Sequence, residues 1–278
     1  MNLINNLDAL TQTHFDSGSL GGLAAVVHRL AEAGQHPLTV LQADRPVRTL
    51  ALVVQDVGAP AAKGPAATPA AGVAATPASS APAELHVNLS GLGGGLRQPG
   101  LRAAGTAAES GADLVVAASG YAVFHAPAGS AGFAVLLHAP GAPDKPPVFD
   151  SRQLGDGDAF ATTIFRPGRY SLTNSAGNAA GQIRVSYPVI GDTPYQPPDA
   201  FHVQLDANGF HPNDIQLMPA QGIVVHVNNT PARITIDLLQ PDDGPALGRP
   251  PTTGPQAPGG NRPGYRWVKP QPPAKPPA

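Results

Sequence analysis

The chain has 278 residues, among them 33 Pro, 32 Gly, 46 Ala and no Cys; 13% are charged and the net charge is −2. Without cysteine there is no disulfide, thiolate zinc site, iron–sulfur cluster or thiol nucleophile. The balanced charge, with no Lys/Arg cluster, argues against a nucleic-acid partner, and no apolar run reaches the roughly 18 residues of a membrane helix.

The Pro and Gly share predicts that part of the chain is not packed core. Residues 1–16 carry Asp8 and Asp16 and no basic stretch ahead of an apolar block. They do not read as a signal peptide, so a cytoplasmic protein is expected, or an extracytoplasmic one if a leader was trimmed.

Residues 1–57 read as a small α/β module. Leu3, Leu7 and Leu10 fall at helical spacing. Asp16, Ser17 and Ser19 offer caps for a second helix over 19–33, with Leu20, Leu23, Val27 and Leu30 as its apolar stripe. Gly34 and Pro37 end it. The runs 38–41 and 47–54, with a turn at 42–46, predict a hairpin. So small a unit buries little surface. The stripe of Leu20, Leu23, Val27 and Leu30 either covers the hairpin or also serves as an assembly or docking surface.

Residues 58–83 form an Ala/Pro-rich linker, extended and with nothing to bury. Residues 84–188 read as all-β, with strands expected at 85–89, 113–118, 120–125, 132–138, 159–165, 169–173 and 182–187. Pro-, Gly- and Asp-rich turns separate them, as in a sandwich or small barrel. A helical turn or a loop is expected at 103–110. Residues 200–240 add strands at 201–205, 222–227 and 233–239. The Pro/Gly-rich residues 241–278 are expected to be disordered.

The run from Phe160 to Phe165, the turn Pro167-Gly168-Arg169-Tyr170 and the strand around Gln182-Ile183-Arg184-Val185 resemble the late strands of a cupredoxin. Residues 208–217 and 222–229 resemble the opening strands of the same family. The resemblance implies a mainly β, cupredoxin-like β-sandwich over 84–188. It also implies an incomplete second unit over 200–240, which must pair with the third segment, the N-terminal hairpin or another chain. A cupredoxin holds copper with two imidazoles, a thiolate and a weak thioether. On this pattern Asn174 stands for the Cys, Gly177 for the second His, Ala179 for the Met and Val135 for the first His. In the half unit Arg233 takes the first-His place. The resemblance thus implies the fold without the copper, and no cofactor is expected.

The nine histidines lack HxH, HxxxH and HExxH spacing. Convergence of His125, His138 and His226 on zinc or copper is an open alternative. Asp156-Gly157-Asp158 reads as a solvated turn or a hard-cation loop. The Gly-rich run 91–96 fits neither phosphate-loop pattern, and no Gly-x-Ser-x-Gly elbow exists. Asn88-Leu89-Ser90 and Asn228-Asn229-Thr230 read as chance glycosylation patterns. The expectation is a non-catalytic structural or adaptor protein that self-assembles or docks onto another protein. A small-ligand or metal-binding module using histidines is the alternative.

Overall fold

The computed structural model describes residues 10–56, 81–92, 114–126, 131–188 and 194–242. The leading helix around Leu3 and Leu7, the turn or loop at 103–110, nearly all of the linker and nearly all of the tail lie outside these residues.

Among the described residues, seventeen strands form three sheets. A seven-stranded sheet runs β14 (Gly209–His211), β13 (Phe201–Asp206), β16 (Gln221–Val227), β10 (Ala159–Ile164), β2 (Ala24–Arg29), β7 (Tyr121–His125), β5 (Glu84–Asn88). A five-stranded sheet runs β6 (Leu114–Ala117), β4 (Arg45–Gln55), β3 (Gly34–Gln42), β8 (Phe133–Leu137), β9 (Phe149–Asp150). A second five-stranded sheet runs β1 (His14–Asp16), β17 (Ile234–Pro241), β11 (Gly168–Asn174), β12 (Ala180–Val185), β15 (Asp214–Leu217).

Alternation places the core. In β16, Ile223, Val225 and Val227 are buried while Gly222, Val224 and His226 are only partly so. The inner faces of all three sheets feed one apolar cluster, from Val26, Leu38 and Val135 to Phe160, Tyr170 and Ile236. Phe124 of β7 stacks on Phe149 of β9 at 5.7 Å, joining the seven-stranded sheet to the first five-stranded one.

The strands repeat. The run Phe15-Asp16-Ser17-Gly18-Ser19-Leu20-Gly21 returns as Phe149-Asp150-Ser151-Arg152-Gln153-Leu154-Gly155. The two runs make the same bonds. Ser17 N–H donates to the Ile234 carbonyl (3.0 Å) and Ile234 N–H to Ser17 Oγ (3.0 Å). Ser151 N–H donates to the Val135 carbonyl (3.0 Å) and Val135 N–H to Ser151 Oγ (2.9 Å). Leu20 bridges Phe133 as Leu154 bridges Ala232. Gly34 and Gly168 both open a strand at positive φ, 141° and 152°. The His36 ring then meets the Glu32 carbonyl at 2.8 Å where the Tyr170 hydroxyl donates to the Arg166 carbonyl at 2.7 Å.

From β1 to β8 and from β9 to β17, the chain therefore traces one motif twice. β2 and β10 pair antiparallel at the middle of the seven-stranded sheet, with Val26 opposite Phe160. A pseudo-twofold axis passes between those two residues. Each half lends its first strand to the other: β1 pairs with β17, and β9 with β8.

Several expectations are corrected. Residues 24–29 are a central strand, held by β10 on one side and β7 on the other, and not part of a helix. Pairing on both edges overrides the helical spacing of the leucines, and Gly21-Gly22 with Val26-Val27 favours that outcome. Leu20 and Leu30 are 0% and 1% exposed and Leu23 packs against the core, so only Val27 of the expected stripe faces outward. Asp16 and Ser17 lie in and just after β1 rather than capping a helix. The break at 57/84 does not separate the sheets, because β4 pairs with β6 and β2 with β7.

The expected hairpin is β3–β4, turning at Ala43 and Asp44 with φ of 49° and 60°. The half unit at 200–240 finds its partners inside the chain: β13 and β16 extend from β10, and β17 pairs with β11.

Candidate functional site

The positions matched to copper ligands hold structural side chains. Asn174 ends β11 and is 4% exposed. Its Oδ1 accepts from the Ala176 (3.1 Å) and Arg233 (3.0 Å) N–H groups, and its Nδ2 donates to the Pro231 carbonyl (3.1 Å). It ties the 175–179 loop to the start of β17. Gly177 N–H donates to the Asn174 carbonyl (3.2 Å), and Asn174 N–H to the Ala179 carbonyl (2.9 Å). Val135 is not near this loop. It sits in β8 opposite Val40, in the other five-stranded sheet, and Ile234 takes the corresponding place opposite Asn174. The reason is the repeat: 132–138 and 159–185 belong to different halves of the structure.

Arg233 reaches back to β1, its Nη2 2.7 Å from Asp16 Oδ2 and its Nε 3.2 Å from Oδ1. Arg152 pairs with Asp150 at 2.8 Å and with Asp44 at 3.6 Å. These carboxylates raise both guanidinium pKa values above the ordinary range. Burial pushes the Tyr170 hydroxyl up to about 12. The 156–158 turn is also internally used. Asp158 Oδ1 meets His28 Nδ1 at 2.7 Å, its Oδ2 accepts from Gly155 N–H at 2.7 Å, and Asp156 Oδ1 accepts from Asn229 N–H at 2.8 Å. No buried side-chain nitrogen or oxygen among the described residues lacks a partner.

The outer face of the seven-stranded sheet is a further surface on which side chains are open to a partner. Register sets its two central rows. One runs His226, Ala159, Val27, Val123, His86 and the other His202, Val224, Ala161, Ala25, His125. The pseudo-twofold axis exchanges the rows. A shallow depression of about 490 Å³ lies on this face, lined among others by Ala25, Ala161, Thr163, Gly222, Val224 and His125. A sheet face turned to water ordinarily carries polar side chains. Here the middle is Ala, Val, Thr and Gly, and the charges of Arg29, Glu84 and Asp206 lie toward the rim.

A histidine pair flanks each end. His202 Nδ1 lies 2.9 Å from His226 Nε2, with the rings stacked at 5.2 Å and 13°. His86 and His125 meet edge to face at 6.2 Å, and Glu84 Oε1 is 3.1 Å from His86 Nε2. Partial burial, then the neighbouring imidazole, lowers the pKa of His226 and of His125. The histidine trio considered from sequence does not converge. His138 bonds to the Lys145 carbonyl at 3.0 Å, and β10 and β2 separate His125 from His226. Each of those two meets instead a histidine from the parallel neighbouring strand, His86 or His202. His202 alternates with the buried Val203 and Leu205 along β13. Only the repeat could have matched it with His86.

No known family, characterised protein or solved structure shows significant similarity to this chain.

Proposed function

We propose that the chain is a non-catalytic structural or adaptor protein: two cupredoxin-like sandwiches without the copper site, fused into one body that self-assembles or docks onto a protein. The cupredoxin-like reading is supported by the way its two quoted parts meet. The late-strand pattern (β10–β12) and the opening-strand pattern (β13–β16) complete one another, with β16 on β10 and β15 on β12. Asn174 supports the loss of copper chemistry, since a neutral amide committed to three backbone groups replaces a thiolate.

The observation that carries the docking reading is the outer face of the seven-stranded sheet. An apolar centre with a charged rim is the anatomy of an interface, and a second sheet can pack on it face to face about 10 Å away. The pseudo-twofold arrangement makes a second copy of the chain the first occupant to test. Light scattering after size exclusion is expected to give a multimer for the full chain and a monomer for Ala161→Arg, with thermal melts confirming that the variant folds. A monomeric full chain at about 100 μM, with a specific interface requiring only micromolar affinity, removes self-assembly. The metal-binding alternative is favoured by one observation, the two histidine pairs.

A further inference from the structure

We propose that His202 and His226 chelate a divalent transition ion of tetragonal preference, Cu²⁺ or Ni²⁺, on the outer face of the seven-stranded sheet. The inference deepens the metal-binding alternative and does not depend on the docking reading. These are not the positions at which the cupredoxin resemblance expects copper.

The separation of the two facing nitrogens matches that of a chelate, and small ring rotations would turn both lone pairs toward one ion. An imidazole nitrogen binds such an ion at about 2.0–2.1 Å, so two nitrogens at a right angle stand about 2.9 Å apart. The facing Nδ1 and Nε2 stand 2.9 Å apart. A tetrahedral angle would ask for about 3.4 Å at the same bond length, so the pair favours tetragonal ions over Zn²⁺. Both imidazoles must be neutral to bind. In the apo pair one facing nitrogen carries a proton and the other accepts it. On binding, that proton moves to the second nitrogen of its own ring, so two neutral imidazoles take the ion with no net change in protonation.

The surroundings leave the other coordination positions open. Gln204 is occupied, its Oε1 accepting from Asn228 Nδ2 at 2.6 Å, and His211 lies 3.2 Å from Asp206. Among the described residues no third His, Asp or Glu joins the pair as a ligand cluster. Water or a partner's side chain would complete the sphere. The His86–His125 pair takes the pseudo-equivalent place in a different geometry, edge to face at 6.2 Å. Its rings are not in contact through nitrogen and Glu84 holds His86, so it is expected to bind more weakly.

The test is titration of Cu²⁺ alone into the tag-free full chain at pH 7.5, followed by calorimetry and electron paramagnetic resonance. The expected tight site shows two equatorial imidazole nitrogens. His202→Ala and His226→Ala each weaken it at least tenfold, and the double variant is no worse than either single one, because a chelate is lost whole. His138→Ala leaves it unchanged. Affinity falls as the solution is acidified, because protons compete for the same lone pairs. Affinity unaffected by both single variants, or a one-imidazole signal, overturns the proposal. His226→Gln and thermal melts separate loss of ligand from loss of fold. The mass of the protein, read in parallel, separates this outcome from failure of the docking reading.

Discussion

Asn174 makes more side-chain hydrogen bonds than any other of the positions compared with copper ligands. Its buried amide bonds two N–H groups and one carbonyl of partly exposed neighbours. Asn174→Ala removes all three bonds. At about 0.5–1.5 kcal/mol for each, a loss of about 2–4 kcal/mol is expected. Urea denaturation measures it, and a shift under 1 kcal/mol would show that the loop is held by other contacts. Asn174 was singled out from sequence as a lost ligand. That it is a brace was not legible, because the partners that it ties, Pro231 and Arg233, lie just ahead of β17, almost sixty residues away. The histidines show the same limit: spacing along the chain said nothing of His86 beside His125, which parallel pairing of β5 with β7 creates.

At the scale of elements, β2 is the strand on which the molecule depends. It stands between β10 and β7, and without it the seven-stranded sheet divides into two pieces. A chain starting at Glu84 lacks β1 to β4 and with them the buried Phe15, Val26, Leu30, Leu38, Val40, Leu52 and Val54. At about 1.5–3 kcal/mol for each large apolar side chain, the loss of about 10–21 kcal/mol is as large as the whole 5–15 kcal/mol by which a domain is usually stable. Circular dichroism is expected to show no cooperative melt for the truncated chain; a cooperative one would mean that 84–242 folds by itself. Of the strands, those with a clear period-2 pattern or a bounded β-branched run were readable: β5 to β8, β10 to β13, β16, β17 and the β3–β4 hairpin. The strands missed were β1, β2 and β9, while β14 and β15 were indicated only by the resemblance of residues 208–217 to opening strands. Four are short, two to four residues, too brief for a period to appear. β2 was hidden because Leu20, Leu23, Val27 and Leu30 imitate a helix face, although Leu20 and Leu30 flank the strand rather than belong to it.

At the scale of the whole molecule, the exchange of first strands binds the halves. β1 completes the sheet of the second half and β9 that of the first, so neither half has its full set of strands alone. Asp16 with Arg233 and Asp150 with Arg152 lie along those exchanged strands. A protease site inserted within 58–80 is therefore expected to yield two fragments that elute together under native conditions. Separation of the fragments without denaturant would show that the pairings of β4 with β6 and β2 with β7 are weaker than their hydrogen-bonded register implies.

The sequence by itself determined the β class, the hairpin, the linker composition and the exclusion of thiolate chemistry, since each depends on local residue type or on a pattern a few residues long. The repeated Phe-Asp-Ser-x-x-Leu-Gly run also lay in the sequence and signalled the duplication, though seven residues are a faint mark across so long a separation. Only the tertiary structure decided that residues 24–29 are a strand, that the half unit closes on the late strands of its own chain, and that four histidines meet in two pairs. Those outcomes depend on hydrogen bonds and side-chain contacts between segments far apart in the chain, and such pairing overrides local preference wherever a central strand can be satisfied on both edges.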